Sequence, residues 1–170
     1  MRGSGRSGSS GVVYVLDASA IFVGIESAAY GVELVTTPGV VEEVLDPSSR
    51  GRLSTALRLG RVRVVDPGRE WVSRAREAAK AVGEVHRLSR ADLEVVALAM
   101  ALARGRRVVV LTDDYGIQNV LKSLGLEFRP VKTRGIRRVV KRVVRCPRCG
   151  AVLRGDEEVC PVCGYRFSTS

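Results

Sequence analysis

Four carboxylates and four cysteines are the residues of this chain whose types and spacing could do chemistry. Asp17 follows an apolar run, and Glu43 sits beside Glu42 in a helix-like stretch. Asp92 falls in the first turn of another helix, and Asp114, next to Asp113, follows a second apolar run. Carboxylates gathered in one place repel one another unless a cation lies between them. An all-oxygen donor set suits a hard divalent ion such as Mg²⁺ or Mn²⁺, which keeps several of its waters. Such a site activates a water nucleophile and stabilises a phosphodiester transition state. Each acid also has a purely structural use. Asp17 and the Asp113-Asp114 pair could cap helices, Ser89-x-x-Asp92 fits a capping box, and Glu42 and Glu43 could be solvated helix residues.

The cysteines carry the more specific pattern. Cys146-Pro147-Arg148-Cys149-Gly150 and Cys160-Pro161-Val162-Cys163-Gly164 repeat one unit, with ten residues between Cys149 and Cys160. A two-residue gap lets both thiolates of a turn face one tetrahedral ion, and the glycine permits the turn. Two such knuckles predict a closed structural Cys₄ site, for zinc, with iron and a disulfide pair as the other readings. A bound ion would supply folding energy that a segment of this size cannot draw from a core.

The elements that must position these residues alternate. Val12–Leu16, Glu33–Thr36, Arg61–Asp66, Arg107–Leu111 and Glu127–Val131 read as strands. Helical stretches lie between them: Asp17 to about Ile25, a helix after Thr37-Pro38, Ser48–Gly60, Glu70–Val82, Ser89–Arg104, and Asp114 to about Ser123. Strands alternating with helices imply right-handed crossovers and a parallel sheet. In such sheets ligands bind beyond the carboxyl ends of the strands, where Asp17 and Asp113-Asp114 fall.

Composition narrows the classes. Nearly half the residues are apolar, enough for a packed core, and only 5% are aromatic, so that core is aliphatic. Residues 1–11 are Gly/Ser-rich, without the apolar centre of a secretion signal, and are read as a tail outside the fold. No run is long enough to span a membrane, and the expected location is the cytoplasm. The net charge of +10 is unevenly placed: residues 12–131 hold 16 basic against 15 acidic side chains, whereas 132–170 hold 10 against 3. That gradient is expected of a nucleic-acid-binding arm on a neutral body. Between Lys132 and Arg145 seven basic residues interleave with Ile136, Val139, Val140, Val143 and Val144. As helix or strand, this segment would dock an apolar side on the main domain and show its cations to RNA. Tyr165 and Phe167 would either stack on bases or cover the small cysteine domain.

Four motifs in order resemble the PIN-domain family of ribonucleases. They are Val15-Leu16-Asp17-Ala18-Ser19-Ala20, Val40-Val41-Glu42-Glu43-Val44, Leu88-Ser89-Arg90-Ala91-Asp92 and Val110-Leu111-Thr112-Asp113-Asp114. The resemblance implies a three-layer α/β domain with a parallel sheet, and an acidic quartet at Asp17, Glu43, Asp92 and Asp114. Asp17, Asp92 and Asp114 would hold the Mg²⁺ or Mn²⁺. A PIN domain followed by a zinc ribbon further resembles the Nob (Nin-one-binding) family of ribosome-biogenesis endonucleases, in its compact archaeal form. Thr37-Pro38-Gly39-Val40 and Tyr115-Gly116-Ile117-Gln118-Asn119-Val120 extend that likeness. It implies metal-assisted cleavage of precursor rRNA at the 3′ end of the mature 16S-type RNA, inside the pre-small ribosomal subunit, by a monomer. The domains expected are a tail at 1–11, the PIN nuclease at 12–131, a basic linker at 132–145 and the ribbon, with Cys146, Cys149, Cys160 and Cys163 on zinc, at 146–170. The other readings are a toxin-type PIN ribonuclease acting on mRNA or tRNA, and a non-catalytic RNA-binding assembly factor.

Overall fold

Four-residue runs such as Val13–Leu16 and Val108–Leu111 have no charged side chain to show to water, so they belong in a sheet covered on both faces. The computed structural model, which describes residues 11–132, 134–140, 143–153 and 157–167, places them at the centre of one. Five parallel strands run β1 (Val13–Leu16), β2 (Glu33–Thr36), β3 (Val62–Val64), β4 (Val108–Leu111) and β5 (Glu127–Arg129), in spatial order β3-β2-β1-β4-β5. The chain moves outward from β1 to β2 and β3, then returns to the other side of β1 for β4 and β5. The reversal between β1 and β4 is the topological switch point, and in sheets of this kind ligands bind in the crevice at its carboxyl end.

Helices fill the crossovers. α1 (Ala18–Phe22), α2 (Ile25–Ala28) and α4 (Pro47–Arg58) pack together. So do α5 (Arg69–Val82), α6 (Arg90–Leu102) and α7 (Tyr115–Ser123), with α3 (Pro38–Glu43) against α6. The expected single helix from Asp17 to Ile25 is two short ones. Gly24, at φ +83°, caps α2 in a left-handed conformation that ends the first run. Thr37 caps α3, with Pro38 in the first turn, as the sequence suggests. The core is aliphatic: Val13, Val15, Leu16, Val35, Val40, Val95, Val96, Val110, Ile117 and Leu121 are each fully buried.

Of the helix and strand readings of the basic segment, strand holds only at its end, Val144–Arg145, among the described residues. Residues 134–140 are neither helix nor strand. Only Val139, of the valines there, packs against the main core, while Val140 is exposed. Beyond it β6 (Val144–Arg145) pairs antiparallel with β7 (Val152–Leu153), and Val159 bridges to Arg166 in a second small turn. No helix among the described residues is long and apolar enough to cross a membrane.

Candidate active site and cysteine cluster

Strand register sets the first contact. Leu16 lies opposite Leu111 in the β1–β4 pair, so the next residues, Asp17 and Thr112, leave the sheet side by side. The Thr112 hydroxyl donates to Asp17 Oδ2 at 2.8 Å and accepts from the Asp114 amide at 3.0 Å. Ser19 Oγ also donates to Asp17 Oδ2, at 2.9 Å, and accepts from the Asp113 amide at 3.0 Å. The Ala18 amide holds Asp17 Oδ1 at 2.7 Å, so the capping use is real as well. Burial pushes the Asp17 carboxyl above its usual range despite these donors, and the Asp114 charge pushes the same way.

Asp92 arrives from the other side. Ser89 and Asp92 form a complete capping box at the start of α6, with bonds of 2.7 and 3.1 Å. Burial raises Asp92 to about 6, the Ser89 bonds oppose that rise, and the charges of Asp17 and Asp114 add to it. Three carboxylates from three separate segments therefore act on one another at a single rim.

Glu43 and Glu42 are both exposed, but only Glu43 turns toward this group: its Oε1 accepts from Ser89 Oγ at 3.0 Å. Asp113 and Asp114 also part. Asp113 accepts the Val131 and Lys132 amides at 2.9 and 3.0 Å, tying the chain after β5 to the switch point. Asp114 is exposed, caps α7 through the Ile117 amide at 2.8 Å, and shares the field of Asp17 and Asp92. Repulsion among acidic groups at a partly buried rim is what a divalent cation would offset. Asp17, Asp92 and Asp114 act on one another at this rim, and Ser89 ties Glu43 beside them.

Several residues here were invisible as site residues in the sequence. Thr112 and Ser19 lie inside the motifs but gain a role only through register. Glu94, 5% exposed on α6, accepts the Gly39 amide at the start of α3 at 2.8 Å and pairs with Arg90 at 3.0 Å. A charge in the otherwise apolar run Leu93–Leu98 was the available signal. Buried Glu84, Gln118 and Asn119 form a further polar cluster behind the rim.

In the cysteine domain, Cys146 Sγ lies 3.6 Å from Cys163 Sγ, and Cys149 Sγ lies 3.7 Å from Cys160 Sγ. All four sulfurs fall within 4.8 Å of one another, the only such ligand group among the described residues. Tetrahedral zinc–sulfur bonds of ~2.3 Å place sulfurs about 3.8 Å apart, so the cluster fits that ion. The knuckles are backbone copies. The Gly150 amide bonds the Cys146 carbonyl and the Gly164 amide the Cys160 carbonyl, with φ of +74° and +70° at the two glycines. Phe167 packs on this cluster, with Tyr165 edge-on to it at 5.5 Å. His86, to which the sequence assigns no role, faces the Phe167 ring at 6.1 Å.

Comparison with known proteins agrees with this geometry. Residues 14–102 match the model of a PIN domain of ribonuclease, and residues 142–167 match a zinc-ribbon domain. The chain is 41% identical to endoribonuclease Nob1 of Pyrococcus abyssi over 88% of each protein. It is 42% identical to endoribonuclease Nob1 of Archaeoglobus fulgidus over 89% of this chain and 87% of that one. Ribonuclease VapC3 of Aeropyrum pernix is 44% identical over 79% of this chain and 99% of its own length. A PIN domain with its acids at the switch point, a four-cysteine ribbon and likeness over nearly nine-tenths of the chain lead to one assignment: the chain belongs to the endoribonuclease Nob1 family.

Proposed function

We propose that this endoribonuclease is metal-dependent and cuts precursor small-subunit rRNA at the 3′ end of the mature 16S-type RNA, within the pre-small ribosomal subunit. Kinship with the Nob1 endoribonucleases supports the reaction class. The observation that carries the metal dependence is the convergence of Asp17, Asp92 and Asp114: the Asp114 charge raises the pKa of Asp17, and the charges of Asp17 and Asp114 raise that of Asp92. Exposed Lys132, Arg134, Arg137 and Arg138, on a segment bonded to Asp113 and Gln118, support a nucleic-acid partner. The protein would act as a cytoplasmic monomer.

Asp17, Asp92 and Asp114 would hold Mg²⁺ or Mn²⁺, which when bound would neutralise charge on the scissile phosphate and lower the pKa of a bound water. Thr112 and Ser19 keep Asp17 in one orientation. Glu43, held by Ser89, orients the attacking water and takes its proton. In-line attack then breaks the bond from phosphorus to the 3′ oxygen, leaving a 3′-hydroxyl and a 5′-phosphate. The four cysteines would hold a structural zinc, with no open position for chemistry.

The test is incubation with a short RNA spanning the rRNA 3′ junction, with and without Mn²⁺. Cleavage at one bond, dependent on the ion and abolished by Asp17→Asn while RNA binding persists, is the expected result. Broad cleavage of unrelated RNAs would point to a general ribonuclease, and binding without cutting to an assembly factor. Persistent cutting by Asp17→Asn would overturn the site.

A further inference from the structure

Tyr115 opens α7 directly after Asp114, and half of its surface is exposed. A lone exposed ring is ordinary on a protein surface. This one is a wall of a small cavity of about 170 Å³ that Asp114, Leu88, Gly116 and Arg87 also line. Cavities of roughly 150 Å³ accept a benzene-sized ring, so the space suits one flat ring system. Gly116 puts no side chain into it: a Cβ there would meet Leu88 Cδ2 at 2.9 Å and Asp114 Oδ1 at 3.0 Å.

Arg87 brings a second planar group. Its side chain is 65% exposed, with Nε 3.5 Å from Oε2 of Glu84, a carboxylate only 1% exposed. Glu84 Oε1 in turn accepts from Asn119 Nδ2 at 3.0 Å, so the anchor of the arginine is itself held by α7. Among the described residues, guanidinium groups lie over the rings of Tyr30 and Trp71, but none lies over Tyr115. The tyrosine ring and the Arg87 side chain thus border one cavity without covering each other.

Unpaired nucleobases are bound by stacking on aromatic rings and on guanidinium planes. A phosphate is the poorer occupant, because Asp113 and Asp114 line the cavity against one arginine already paired with Glu84. We infer that the cavity is a nucleobase subsite, in which the base of a nucleotide flanking the scissile phosphate leaves its stack and lies against Tyr115 and Arg87. This rests on the proposed RNA cleavage at the neighbouring rim. Since Tyr115 follows Asp114 in the chain, a base seated there holds the adjoining phosphate against the acids. The RNA must therefore be unpaired at that nucleotide.

The test is a cycle of cleavage rates that pairs protein variants with RNA lacking one base. The zinc-loaded full chain, Tyr115→Ala, Tyr115→Phe and Arg87→Lys each cut the junction RNA, intact or with an abasic nucleotide on one side of the cut. On intact RNA, Tyr115→Ala should lower kcat/KM by roughly 5- to 100-fold, the weight of one base–aromatic stack. Tyr115→Phe should stay within about twofold of wild type. On RNA abasic at the seated position Tyr115→Ala should cost nothing further, because the partner it served is gone. Arg87→Lys keeps a charge beside Glu84 but loses the plane, and its loss should vanish on the same RNA. Tyr30→Ala, at the amino end of β2 and so at the opposite rim, should cut like wild type. Equal losses from Tyr115→Ala on the intact and both abasic RNAs overturn the subsite. Emission from 2-aminopurine at each flanking position reads the stack without cutting, and should be quenched by wild type but not by Tyr115→Ala. A wild type that quenches but cuts nothing sinks the functional reading and keeps the base pocket. One that cuts but quenches at neither position sinks the pocket alone, and one that does neither sinks both.

Discussion

Ser89 Oγ donates to Glu43 Oε1 across 3.0 Å, although 46 residues separate them. The same serine caps α6 and is bonded by Asp92, so one hydroxyl joins the last residue of α3 to the acidic rim. Neighbouring Glu42 has no such tether. Glu43→Gln should therefore lower single-turnover cleavage by about 10²-fold or more, the usual weight of a general base. Glu42→Gln should leave the rate within about twofold, and equal losses in both would show that the tether has no catalytic meaning.

Asp92 gives a pH signature. Its folded-state pKa, about 6, lies above the ordinary 3.8, so the folded protein favours the protonated form. The associated stability is fully present below about pH 4 and is lost as pH rises through about 6. Comparing thermal unfolding of metal-free wild type and Asp92→Asn isolates this contribution from other carboxylates. The advantage of the wild type should shrink across that window, and saturating Mn²⁺ should abolish the decline because the cation takes the proton's place. A flat difference curve in EDTA would contradict the raised value.

Gly39 is where α3 meets α6. An added Cβ would lie 2.8 Å from Glu94 Oε2 and 3.0 Å from the Cα and Cβ of Ala91. Gly39→Ala should therefore destabilise the domain by roughly 1–3 kcal/mol, as overpacking does. Chemical denaturation checks it, and cleavage should fall too, since α3 carries Glu43.

The sulfur geometry predicts one zinc per chain by elemental analysis. Cys149→Ser should release that zinc and unfold the ribbon. The nuclease domain should keep its melting temperature, because the ribbon's small core is separate from the main one. A large fall in the main transition would show that the ribbon's fold supports the domain.

Some of this molecule could be read directly from the chain. Hydrophobic runs bounded by Gly, Pro and capping residues mark the strands and helices, because burial and capping are local demands of the backbone. The ribbon follows from cysteine spacing alone, since a two-residue gap on a tight turn already brings two sulfurs to one ion. Gly24 broke an expected helix for a reason also local, its positive φ, which the pattern Val23-Gly24-Ile25 shows only faintly.

What no local pattern could show is who meets whom. Asp17 and Asp114 each cap a helix, Asp92 completes a capping box, and every one of those uses is satisfied. The parallel register of β1 with β4 makes Asp17 and Thr112 neighbours across 95 residues, and α6 brings Asp92 to the same rim. The adjacent pairs Glu42/Glu43 and Asp113/Asp114 parted only through long-range bonds to Ser89 and to the chain after β5. The cationic segment reads as an amphipathic helix or strand until two buried amides claim its backbone groups. Spacing along the chain determines elements and the metal-binding turns, whereas convergence of charges depends on strand order and register, which exist only once the sheet has formed.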